Sequence, residues 1–241
     1  ERSIAARMKD SGWLPQITTL NDLLRESTGL STLDPLAAQA ELFSCWRGLQ
    51  NAGSESGGTS DSRSFESFMP WGRIALRDFN EIDQHMLDAS KVFKNLCDIE
   101  GIEEWSFADE NNLGDAQRSF LRQYLQLGPL YTSFKKKLLE HSMGYGGLIA
   151  RTAALNPTPL NPAHVFVAGL SALTPAERKF LGQFESKGQL TWMWDGDESY
   201  VHSKEIEAGL FIREQGGWGT SNAPNALSKR LANNPPTIHS V

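Results

Sequence analysis

The run Asp195-Gly196-Asp197-Glu198-Ser199 places two carboxylates two positions apart, with a hydroxyl two positions further on. That is the DxDx[ST] spacing of loops that transfer phosphoryl groups: the first Asp attacks phosphorus, the second moves the proton, and both help hold magnesium. Asp195 and Asp197 would take those roles here. Such a site also needs an acidic pair after a further strand, and none is evident downstream, so an acidic loop closing a strand is the plainer reading. The dense basic run is Lys135-Lys136-Lys137. Beside Tyr131 and Phe134 it could line a groove that tracks a single nucleic-acid strand, although most such runs on helices are solvated faces. A nucleotide hydrolase would need GxxxxGK[ST] after an early strand and Asp-Glu at the end of a later one. Neither is present. Met143 to Arg151, MGYGGLIAR, has glycines but no Lys followed by Ser or Thr. The five histidines stand apart without metal-ligand spacing, and no GxSxG elbow occurs.

These groups need a frame, and the C-terminal half offers one. His164 to Leu170, HVFVAGL, is an apolar run of strand length, as expected for a parallel strand covered on both faces. Thr174-Pro175-Ala176-Glu177 then supplies an N-cap, a Pro at the first helical position and a capping-box Glu. The helix turns Phe180, Leu181 and Phe184 inward and ends at Lys187-Gly188. A second strand, QLTWMW, follows, so the segment reads as a βαβ unit with a partly parallel sheet. Trp192 and Trp194 alternate along that strand and read as core rather than as base-stacking groups.

Upstream the texture is helical. LPQITTLNDLL opens with a β-prone run from Gln16 to Leu20 and passes into a helix capped by Thr19 or Asn21. A second helix starts at Asp34-Pro35, with Leu36, Ala40, Phe43 and Trp46 or Arg47 on one face. Residues 51–64, almost without apolar side chains, read as a surface linker. Asp78 and Glu81 resemble a capping box at the start of a helix whose stripe is Ile82, Met86, Ala89, Phe93 and Leu96. Further helices are expected from Asp115 to Leu125 and from Pro129, the latter with Leu130, Tyr131, Phe134 and Leu138 inward. The expected class is therefore α/β, with a large helical segment over 65–151 between a first core portion in 1–64 and a second in 152–215, and with 216–241 leading into something further.

Composition narrows the function. The 241 residues are 39% hydrophobic, a globular balance long enough for one or two domains, and the formal charge is -6. A net negative chain lacks the broad basic field of a non-specific nucleic-acid binder, so any such contact must be local. Two cysteines, Cys45 and Cys97, are too few for a disulfide framework or a zinc ribbon. No apolar run reaches the roughly 18–20 residues that span a bilayer, and the charged start is unlike a secretory signal, so a soluble, cytoplasmic protein is expected. A first residue other than Met and an extended, β-branched end suggest a piece of a longer chain.

Four blocks together carry a resemblance: LPQITTLNDLL, SFMPWGRIALRDFNEIDQHMLDASKVFKNLCDIEGIEEW, HVFVAGLSALTPAERKFLGQFESKGQLTWMWDGDESY and EAGLFIRE. They resemble the N-terminal, inactivated helicase region of large Bacteroidetes AddB-like proteins that end in a PD-(D/E)XK nuclease domain. The resemblance implies a RecA-like core of the UvrD-like superfamily I type with an all-helical insertion. It implies a role in DNA double-strand-break repair and recombination without ATP hydrolysis or a cofactor in this region, and partners in single-stranded DNA and a helicase-nuclease subunit. It places Thr18 and Thr19 at a strand-end DNA contact. It places Ala168 and Gly169 where a working motor carries the Walker B Asp-Glu, and neither residue can hold magnesium or orient water. The alternative is the haloacid-dehalogenase-like phosphatase built on Asp195 and Asp197.

Overall fold

The computed structural model describes residues 15–52, 64–98, 126–156, 160, 162–170, 172–194 and 196–215. Most of the expected linker, the expected helix over Asp115 to Leu125, and 216–241 lie outside them. The chain divides into two units, Glu1–Thr158 and Pro159–Val241.

The first unit is helical: α1 (Leu20–Thr28), β1 (Ser31–Thr32), α2 (Pro35–Ala52), α3 (Phe65–Gln84), α4 (Ala89–Asp98), α5 (Leu127–Glu140), β2 (Met143–Gly144) and α6 (Gly146–Leu155). Local chemistry sets the boundaries. Thr19 accepts a hydrogen bond from the Asp22 amide and so caps α1, and Gly29 closes it at φ 66°. Ser64 caps α3 through the Ser67 amide. α2 packs on α3 and α5, and α6 packs on α1 and α3. Their shared core buries Leu42 and Trp46 of α2, Phe68, Phe79 and Ile82 of α3, and Leu130, Phe134 and Leu138 of α5. Each large side chain so buried is worth about 1.5–3 kcal/mol of transfer free energy. β1 and β2 form a two-residue parallel ladder, Ser31 opposite Met143 and Thr32 opposite Gly144.

The second unit holds β3 (Val165–Ala168), α7 (Pro175–Glu185), β4 (Leu190–Met193), α8 (Glu198–His202), a 3-10 turn (Glu207–Gly209) and α9 (Leu210–Gln215). β3 and β4 pair in parallel from Val165 opposite Leu190 to Ala168 opposite Met193. The expected βαβ order is present, with the full capping box: Thr174 and Glu177 each bond the other's backbone N–H. Ala176, Phe180, Leu181 and Phe184 are the buried face of α7. Among the described residues the protein is thus mixed and helix-rich, with two small parallel sheets.

Several expectations change. Residues 15–19 form no strand and are exposed: a β-prone run needs a neighbouring strand, and none pairs with it among the described residues. Asp78 and Glu81 do not start a helix. They lie inside α3, where intrahelical carbonyls already satisfy the amides that a capping box would serve. The Ile82-to-Leu96 stripe is two helices, because Met86 turns left-handed at φ 56° and the Met86 and Leu87 amides bond back to the Asp83 and Ile82 carbonyls. α5 begins at Leu127, two residues before Pro129. On α2 the inward residues are Ala38, Gln39, Leu42, Cys45 and Trp46, whereas Leu36 is exposed. β3 is covered on one face only, since Phe166 is 63% exposed. α1 and α2 pack with the central helices within the unit that ends at Thr158.

Candidate functional site

The structure spreads the residues singled out by sequence over both units. In the second, Ala168 ends β3 and is exposed, and Gly169 follows at φ 73°, a left-handed turn that suits a residue without Cβ. No carboxylate occupies either position. At the end of β4, Asp197 is buried and caps α8, accepting from the Ser199 amide at 3.0 Å and the Ser199 hydroxyl at 2.7 Å. Asp195 lies outside the described residues. The indoles of Trp192 and Trp194 stack at 5.2 Å between centroids, and Trp194 meets Phe211 edge-on at 6.0 Å, so these rings pack within their own unit.

In the first unit Thr18 is exposed just before α1. Thr19 is committed to its cap, its hydroxyl donating to Asp22 at 2.7 Å. The three lysines of α5 diverge because successive residues point about 100° apart. Lys137 meets Glu41 of α2 at 2.6 Å and donates to Ser44 at 3.1 Å, and the hydrogen bond to Glu41 raises its pKa. Lys136 points outward, with Glu140 at 3.9 Å. Lys135 turns toward Asp83, 3.6 Å away.

Asp83 is the polar centre of this unit and is fully buried. The Tyr131 hydroxyl donates to it at 2.6 Å, and the Tyr145 hydroxyl donates to its other oxygen. Arg151 stands 3.4 Å from the same carboxylate and donates to the Leu87 carbonyl at 2.8 Å and the Ile82 carbonyl at 3.4 Å. Lys135 donates to the Tyr131 hydroxyl at 3.3 Å. Burial first and the Asp83 charge and hydrogen bond after it raise the pKa of both phenols, so near neutral pH they act as hydrogen-bond donors, not as bases or nucleophiles. Burial lowers the pKa of Lys135 against the opposing pull of Asp83. The arrangement can hold charge and fix helices.

Sequence reasoning placed Tyr131 in the core but did not find Asp83, Tyr145 or Arg151. One signal was there. Asp83 follows Ala75 and Phe79 at helical spacing, so an acid occupies the apolar stripe of α3. Among the described residues no group of three or more His, Cys, Asp or Glu could hold a metal, and no helix is long and apolar enough to cross a membrane. Comparison with known proteins finds no family model and no curated protein that matches the chain.

Proposed function

We propose that the chain is a degenerate, non-hydrolysing superfamily I helicase-like domain that serves as a DNA-binding and scaffolding module in a cytoplasmic double-strand-break repair helicase-nuclease. The observation that carries the reading is the end of β3. In a parallel α/β unit ligands sit at strand carboxyl ends. A motor places its magnesium and water there, and this chain has a methyl group at Ala168 and a left-handed glycine at Gly169. The parallel β3-α7-β4 unit is what a RecA-like core would contribute at this point, and the four sequence blocks supply the family. The phosphatase alternative is weaker because the Asp197 carboxylate is turned onto its own helix cap instead of outward toward a substrate.

Partners on this reading are single-stranded DNA, the remaining domains of the same protein and a helicase-nuclease subunit. The test is ATP hydrolysis by the purified chain with and without single-stranded DNA, alongside magnesium-dependent cleavage of a generic phosphoester. The expected result is neither activity. DNA-stimulated ATPase in a preparation free of other helicases would refute the inactive-motor reading, and phosphoester turnover lost in Asp195→Asn would favour the phosphatase.

A further inference from the structure

Among the described residues the charges around Asp83 do not balance. Lys135 and Arg151 share one buried carboxylate, which leaves one positive charge over in a place where charge is expensive to desolvate. Among the described residues, the charges that act on the Lys135 ammonium are those of Asp83, which favours it, and Arg151, which opposes it. Tyr131 and Tyr145 donate their phenolic hydrogens to Asp83 and stay neutral, so they supply no counter-charge. The Arg151 Nε–H is buried and finds no acceptor among the described residues. Yet neither side chain is sealed in: that of Lys135 keeps 27% of its surface exposed and that of Arg151 17%. Both approach the same Asp83 oxygen, at 3.6 and 3.4 Å, so their charged ends lie at most about 7 Å apart. A tetrahedral oxyanion can bridge two cations across such a gap, with charge-assisted bonds to both.

We propose that Lys135 and Arg151 form an oxyanion site for a phosphate group at the solvent edge of the Asp83 centre. Asp83 and the two tyrosines position the cations, and the bound anion supplies the missing negative charge. The shared chemistry is a phosphate oxygen, either of a free phosphate or of a nucleic-acid backbone. The site stands on its own geometry in the first unit. It does not rest on the reading of β3, and ATPase activity would leave it untouched.

The test is protection of Lys135 in the full chain. An amine-reactive acylating reagent is applied with increasing inorganic phosphate at constant ionic strength set by chloride, and labelling of Lys135 is read by peptide mass spectrometry against Lys136 as internal reference. Phosphate should slow labelling of Lys135 saturably, severalfold relative to Lys136, and raise the thermal midpoint in parallel. In Lys135→Gln the thermal response should weaken about tenfold in apparent affinity, while Lys135→Arg should keep it and Lys136→Gln should not change it. An oligothymidine without terminal phosphates separates the sources: protection at lower concentration than inorganic phosphate assigns the site to a strand, and protection by phosphate alone assigns it to the free anion. Equal labelling of Lys135 with and without phosphate would overturn the proposal, and this readout needs no variant to fold. A thermal response in Lys135→Gln equal to the wild type would overturn it too.

Discussion

Tyr131 of α5 donates its phenolic hydrogen to Asp83 of α3 at 2.6 Å, across 48 positions of sequence. The bond ties two helices whose apolar faces alone would allow small slides along each other. With Tyr145 on the other oxygen, the buried carboxylate fixes α3, α5 and the start of α6 in one register.

Asp83→Ala removes the acceptor of two phenols and the counter-ion of two cations. Stranding buried charge in this way costs about 3–5 kcal/mol. The expected outcome is a large fall in the urea midpoint. Asp83→Asn keeps a carbonyl acceptor and should lose less. An unfolding free energy for Asp83→Ala within about 1 kcal/mol of the wild type would show that the centre does not hold the helices.

Alkaline pH acts on the same centre. Tyr131 and Tyr145 have folded pKa values above the ordinary 10.0, so the folded state keeps protons that the unfolded chain loses. Their contribution is complete below pH 10 and is lost as the pH rises beyond it. Lys135 is depressed below 10.5 and works in the opposite direction: the unfolded chain holds the extra proton, so this contribution grows as the pH rises up to 10.5. Stability should therefore fall steeply only above about pH 10.5, where the tyrosines act alone. Absorbance near 295 nm during an alkaline titration should show tyrosine ionisation in step with unfolding. Full ionisation while the chain stays folded would contradict the donor roles.

Ser142 sits exposed at φ 54° between α5 and β2. Ser142→Gly relieves the left-handed strain, which costs a residue with a Cβ roughly 1 kcal/mol, at the expense of some unfolded-state entropy. A small net gain in thermal midpoint is expected. Gly147→Ala is the opposite case, because its Cβ would lie 2.4 Å from the Asn80 carbonyl oxygen. The two variants should shift the midpoint in opposite directions in calorimetry.

Single-strand binding, measured by anisotropy with oligothymidine at several salt concentrations, tests Lys135 to Lys137. Each phosphate neutralised adds about -0.7 to the log-log slope. Replacing all three by Ala should flatten the slope if they touch the strand. Lys137 would have to leave Glu41 to do so, so Glu41→Gln should tighten binding if Lys137 is a contact. An unchanged slope in the triple variant would remove these lysines from the interface.

Much of the second unit was legible in sequence because its signals are local. Thr174, Pro175 and Glu177 specify a helix start within four residues, and the apolar runs on either side specify strands of matching length. Pro35 and the Leu130-Tyr131-Phe134-Leu138 stripe were readable for the same reason. Only tertiary structure decided the rest. Gln16 to Leu20 has the composition of a strand, but a strand exists only where another strand pairs with it, and among the described residues none does. α2 carries apolar residues on two faces, and the positions of α3 and α5 chose the one with Leu42 and Trp46. Asp83 of α3 lies 48 positions from Tyr131 of α5 and 62 from Tyr145 at the start of α6, whose Arg151 also reaches it, and no spacing rule links them. Three adjacent lysines look alike in a sequence; packing gave one to Asp83, one to Glu41 and one to solvent, because a helix turns neighbouring residues onto different faces.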